Sequence, residues 1–126
     1  MISKGELLIK NILDNLNVIY NTEVIDPLLV KETNRRLRFD FAIYNSDGSI
    51  NRYIEFDGRQ HFNGPDSDHW GRSKDTIESI QERDRLKNSF CLKHNIPLVR
   101  IPYWVIPTEE NLFSNKYLVK GDDYCD

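Results

Sequence analysis

The stretch LRFDFAIYNSDGSINRYIEFDG, Leu37 to Gly58, constrains this chain more than any other. Leu37, Phe39, Phe41 and Ile43 alternate with Arg38, Asp40, Ala42 and Tyr44, the two-residue period of a strand with one core face. From Ile50 to Asp57 the pattern is looser, with Ile54 and Phe56 on one face and Tyr53, Glu55 and Asp57 on the other. Asp47-Gly48 between them is a favoured centre for a two-residue type I′ hairpin. With that pair as the loop, Phe39 faces Phe56, Phe41 faces Ile54, Arg38 faces Asp57 and Asp40 faces Glu55. The apolar pairs build core. Asp40 and Glu55 are like charges with Cβ atoms roughly 4.5–5.5 Å apart, which is destabilising. A shared proton, a flanking cation or a bound metal ion would compensate, unless the face simply points into water.

The flanking sequence predicts the rest of the architecture. Leu8, Ile9, Ile12, Leu13 and Leu16 mark an amphipathic helix over 4–16, with Ser3 and Glu6 spaced as a capping box. Asn17 to Ile25 reads as a strand closed by Asp26-Pro27. After the hairpin, QHFNGPDSDHWGRSKD has the composition of a mobile loop. Asp75 to Lys93 reads as a helix, with Ile77, Ile80, Phe90 and Cys91 in one stripe and Arg83, Asp84 and Lys87 along or beside it. Ile96 to Ile101 suits a buried strand, and 107–113 a short terminal helix capped by Thr108, before a frayed end from Gly121 to Asp126. The expected fold class is α/β: one domain over 1–126, with a mixed central sheet flanked by helices, a core over 3–104 and an extension over 105–126.

Composition excludes several classes. A chain of 126 residues suits one domain, and 39% hydrophobic with 29% charged residues is ordinary for a soluble globular protein. It has no apolar run long enough for a membrane span, and MISKGELLIK lacks a signal-peptide core, so work in a cytoplasm is expected. The two cysteines, Cys91 and Cys125, form no C-x-x-C pair, which argues against a structural zinc site or a disulfide framework and favours a free buried Cys91. The net charge of −3 is not that of a basic nucleic-acid binder, but residues 31–104 carry thirteen basic against eleven acidic side chains. The middle of the chain is mildly basic.

Two adjacent carboxylates on neighbouring strands are hard oxygen ligands of the kind Mg²⁺ prefers. Such an ion can polarise a phosphodiester and lower the pKa of an attacking water. The residues permit phosphodiester hydrolysis without selecting it over other metal-assisted reactions.

Here RFDFAIY, YIEFDGRQHF and RDRLKNSFCLKHNIPLVRIPY resemble the PD-(D/E)xK nucleases. They are similar above all to the small subgroup related to very short patch repair and phage homing endonucleases. The likeness covers about Ser3 to Tyr103 and implies a restriction-endonuclease-like αβββαβ core. It further implies Asp40 and Glu55 as ligands for Mg²⁺, replaceable by Mn²⁺, with the Phe56 carbonyl as a third. Glu6 matches the first-helix acid of the family, beside its capping role. Asp57 stands where the family's E-x-K lysine is expected; it is open to pairing with Arg38 or to serving a second ion. Lys87, on the following helix, is the candidate substitute for that lysine. Gln60 and His61 follow the acidic strand closely enough to line the site, with His61 a candidate base. His69 and His94 read as structural. Arg35, Arg36, Arg59, Arg72 and Lys74 are candidate contacts to the DNA backbone.

The expected activity is therefore that of an Mg²⁺-dependent DNA endonuclease, homing or repair-like, leaving 5′-phosphates as the family implies. With no added DNA-reading module, recognition falls to loops such as Asn63–Lys74, to homodimerisation or to DNA structure. A non-catalytic nucleic-acid-binding or regulatory protein that kept the fold is the alternative, and a ribonuclease a third.

Overall fold

Ser3 starts the fold. Its Oγ accepts the Glu6 amide at 3.1 Å while its own amide donates to Glu6 Oε1 at 3.3 Å, so the capping box satisfies helix-start donors reciprocally. Helix α1 (Lys4–Leu16) buries Ile9 and Leu13 and stops at Asn17, which takes the left-handed conformation common at helix ends. In the computed structural model, which describes residues 2–58 and 77–121, the chain continues through β1 (Ile19–Ile25), α2 (Pro27–Thr33), β2 (Arg38–Tyr44), β3 (Ile50–Asp57), α3 (Ile77–Lys93), β4 (Leu98–Pro102) and α4 (Glu109–Phe113).

The strands form one sheet in the order β1-β2-β3-β4, antiparallel for the first two pairings and parallel for β3 with β4. Helices cover both faces. On one, Ile9 and Leu13 of α1 and Leu112 of α4 pack on Phe41, Ile43, Ile54, Val99 and Ile101. On the other, Leu29 of α2 and Phe90 and Cys91 of α3 pack on Phe39, Ala42, Tyr53 and Leu98. This is the α/β class with a mixed sheet that the pattern predicts.

Three local expectations change. The hairpin loop is not the two-residue Asp47-Gly48. Gly48 N bonds Asn45 O and Asn45 N bonds Ser49 O, closing a loop over Ser46, Asp47 and Gly48 in which only Gly48 has positive φ, at 89°. A type I′ turn would need positive φ at Asp47 as well. A register shift between Ile43 and Tyr44 absorbs the difference, so Phe41 still faces Ile54 as expected.

Strand β2 does not keep one core face. Phe41 and Ile43 pack on the α1 side, whereas Leu37 and Phe39 join the α3 side. Phe39 therefore does not pair with Phe56; it stacks on Tyr53 with centroids 3.8 Å apart. The switch falls at Asp40. There the β1–β2 ladder passes from Thr22–Phe41 to Val24–Phe39, skipping Glu23, whose φ is 54°.

Helix α2 is the third change, absent from the sequence reading. Asp26 caps it through the Leu28 amide, Pro27 takes its first turn, and the other carboxylate oxygen of Asp26 accepts the buried Tyr53 hydroxyl. Asp-Pro before Leu28 and Leu29 was its signal. The terminal helix keeps Thr108 as its cap. Beyond it the extension folds back on the edge of β4, where Arg100 N bonds Tyr117 O and Val119 N bonds Leu98 O. The expected start of α3 at Asp75 and the frayed end past Gly121 lie outside the described residues.

Gly5 lets α1 lie close on β3: a methyl group built on it would overlap the Phe56 ring. We expect Gly5→Ala to destabilise the protein by about 1–3 kcal/mol, as overpacking does, despite alanine's better helix propensity. Urea denaturation checks this, and a stability at or above wild type would contradict the close approach.

Candidate active site

Glu55 is 3% exposed although it carries a carboxylate. Three groups hold it. Lys87 Nζ, reaching in from α3, lies 2.9 Å from Oε1, and the guanidinium of Arg100 lies 3.8 Å from the same oxygen. Oε2 accepts the Asp40 amide at 2.7 Å. Asp40 in turn accepts the Phe56 amide on Oδ2 at 2.8 Å, and its Oδ1 takes no hydrogen bond from any described residue. The Glu55 carboxylate is thus tied to the backbone of Asp40, and the Asp40 carboxylate to the backbone of Phe56, the residue after Glu55. Glu55 is buried beneath α3 through Lys87, whereas Asp40 is half-buried.

Burial, and then the neighbouring Glu55 charge, push the Asp40 carboxyl up to about 8, with Glu6 adding to the shift and Lys87 opposing it. Without a further cation, a carboxyl in this place favours its proton. A cavity of about 480 Å³ opens beside it, lined by Glu6, Asp40, Glu55, Phe56 and Lys87 together with Arg36, Arg38, Arg83 and Asp84. Glu6 lines this cavity while also closing the α1 cap, so its two candidate roles coincide in space.

The described acids form two close groupings, Glu6–Glu23–Asp40 and Glu55–Asp57–Asp84, each with oxygens within 4.8 Å of one another. They divide the expected ligand pair between them. Asp57 does not pair with Arg38, which lies opposite Ile25 on β1 and lines the cavity. Instead Asp57 Oδ1 sits 2.7 Å from Arg100 on β4. Arg100 is also bonded through Nε to Asn88 Oδ1 at 2.7 Å, and NH2 approaches Asp84 Oδ1 at 3.4 Å.

The residues fit a divalent cation in chemistry: hard oxygens from Asp40 and Glu55, Glu6 across the cavity, and an Asp40 carboxyl that without a further cation favours its proton. Lys87 brings the positive charge that Asp57 cannot. Although Asp84 lies three residues before it on α3, the Lys87 salt bridge goes to Glu55, and its ammonium also stands 5.7 Å above the Phe39 ring.

Arg36 lines the cavity, while Arg35 is exposed beside it. Arg59, Gln60, His61, His69, Arg72 and Lys74, with the loop Asn63–Lys74, lie outside the described residues. His94 Nε2 is 2.9 Å from Glu32 Oε2, tying α3 to α2 as a structural histidine would. Cys91 is buried, and burial pushes its thiol up to about 12, so it is an inert core side chain. The sequence reading missed Arg38, Arg83 and Arg100 as site residues. Arg100 had a signal: a charge inside the apolar run LVRIP needs a buried partner. Among the described residues, no helix is long and apolar enough to cross a membrane.

No protein-family model matches the chain, and no solved structure matches it. A curated relative that does match is the uncharacterized protein 307L of Invertebrate iridescent virus 6, 35% identical over 57 residues. That stretch is 44% of this chain, which spans only 28% of the viral protein's length.

Proposed function

We propose that this protein is a metal-dependent DNA endonuclease, with Asp40 and Glu55 holding Mg²⁺ and Glu6 and the Phe56 carbonyl completing its protein ligands. One observation carries the reading: Lys87 Nζ meets the Glu55 carboxylate 2.9 Å away, beside Asp40, in a cavity rimmed by arginines. When bound, the ion would supply Lewis acidity and a more acidic water. Lys87 places a cation where negative charge develops on the phosphate and holds Glu55 in one rotamer. Arg36, Arg38 and Arg83 can grip phosphate oxygens, a contact that positions the strand without reading its sequence. Homing-type cleavage and nicking of mismatched or branched DNA both suit such a site, and we propose that it works in the cytoplasm, in the host cell if the chain is phage-encoded.

The test is nicking of supercoiled plasmid with Mg²⁺ or Mn²⁺, comparing wild type with Asp40→Ala and Glu55→Ala. Loss of nicking in both variants is expected. Nicking that survives both removes the site, and inactivity of wild type on mismatched, branched and plain DNA and on RNA leaves the non-catalytic nucleic-acid binder.

A further inference from the structure

Glu55, Asp57 and Asp84 offer oxygens within 4.8 Å of one another, a spacing at which carboxylates can share a divalent ion. A side chain already stands among them. Arg100 NH1 is 2.7 Å from Asp57 Oδ1 and 3.8 Å from Glu55 Oε1, while NH2 is 3.4 Å from Asp84 Oδ1. Nε is taken by the buried Asn88 at 2.7 Å, which fixes the plane of the guanidinium. Parallel pairing sets Arg100 directly beside Glu55, and α3 supplies Asp84 and Asn88 from above. A guanidinium cannot be deprotonated in a protein, so its charge is permanent.

We infer that Arg100 is a resident cation in the place of a second divalent ion, so that the centre takes one metal ion and Asp57 is kept out of its ligand set. The count of one rests on the proposed function; the filling of the Glu55–Asp57–Asp84 cage by Arg100 does not. A metal ion entering the cage would have to displace a positive charge paired with three carboxylates and held by Asn88. Arg100 is therefore a positioning residue, acting on the reaction through Glu55.

Manganese binding measures this directly, by the electron paramagnetic resonance of free Mn²⁺ titrated with metal-free protein. One ion per chain is expected for wild type and for Arg100→Lys. Arg100→Met, which opens the cage and leaves its carboxylates, is expected to bind one ion more, and Arg100→Met with Asp84→Asn to lose that gain. Two ions in wild type, or no gain in folded Arg100→Met, overturns the inference. If wild type binds none while Arg100→Met binds one, the cage inference stands and the endonuclease reading falls. Should Arg100→Met be unfolded without metal, recovery of its circular dichroism on adding Mn²⁺ supports the inference, and no recovery overturns it.

Discussion

Lys87→Ala is expected to lower DNA cleavage by about 100-fold or more, the scale seen when one preorganised charge-stabilising group is removed from an active site. The variant should nevertheless still bind metal, because Asp40, Glu55 and Glu6 all remain. Its stability supplies a second, independent reading. Removing one partner of a buried ion pair generally costs about 3–5 kcal/mol, because the other charge is left uncompensated. Here Arg100 stays 3.8 Å from the same Glu55 oxygen, so the smaller loss of about 1–3 kcal/mol is expected in EDTA. Mg²⁺ should restore part of it, making the metal-induced rise in melting temperature larger in Lys87→Ala than in wild type. Lys87→Met, which keeps an apolar stem but removes the ammonium that stands over Phe39, separates packing from charge and should be equally inactive. Turnover within a few-fold of wild type in either variant removes Lys87 from the mechanism.

Asp40→Asn should make the metal-free protein more stable at neutral pH and abolish its response to Mg²⁺. The amide oxygen can still accept the Phe56 amide, so the main change is the loss of a carboxyl that the fold must keep protonated where the unfolded chain would ionise it. The pH dependence follows from the raised carboxyl, at about 8 in the folded protein against roughly 3.9 in an unfolded chain. Below about pH 4 the group is protonated in both states and contributes nothing. Between there and pH 8 the unfolded chain gives up the proton while the folded protein keeps it, so stability falls as pH rises, by at most about 1.4 kcal/mol per pH unit. Above pH 8 the loss is complete. In EDTA, wild type should therefore lose stability relative to Asp40→Asn from pH 5 to pH 8, by a few kcal/mol in order of magnitude. Mg²⁺ should flatten the difference for wild type alone, and urea midpoints across this range measure it. Parallel pH profiles for the two proteins would mean that Asp40 titrates as an ordinary exposed carboxylate.

What could be read before folding depended on how far each signal reaches along the chain. Ser3 with Glu6, Thr108 before its short helix, and the pairing of Phe41 with Ile54 act within short stretches of chain, and each appears in the structure where it was expected. Asp-Pro at 26–27 is as local and was passed over, because the same dipeptide also suits the end of a strand. The Asp57–Arg38 pairing failed for a different reason. Hairpin register can nominate a partner across the turn, but it cannot see a stronger one arriving on a strand more than forty residues later.

The sequence by itself determined the α/β class, the caps of α1 and α4, the antiparallel strand pair that brings Asp40 beside Glu55, and the placing of Lys87 on a helical face with Asp84. Only the tertiary structure decided that α3 closes over those carboxylates, that Lys87 turns to Glu55, and that Arg100 occupies the Glu55–Asp57–Asp84 cage. The physical reason is the range of the forces. Caps and strand periodicity are satisfied by near neighbours, whereas a buried charge takes whichever opposite charge the packing of the whole sheet delivers, and parallel pairing of β3 with β4 leaves no mark in either strand alone.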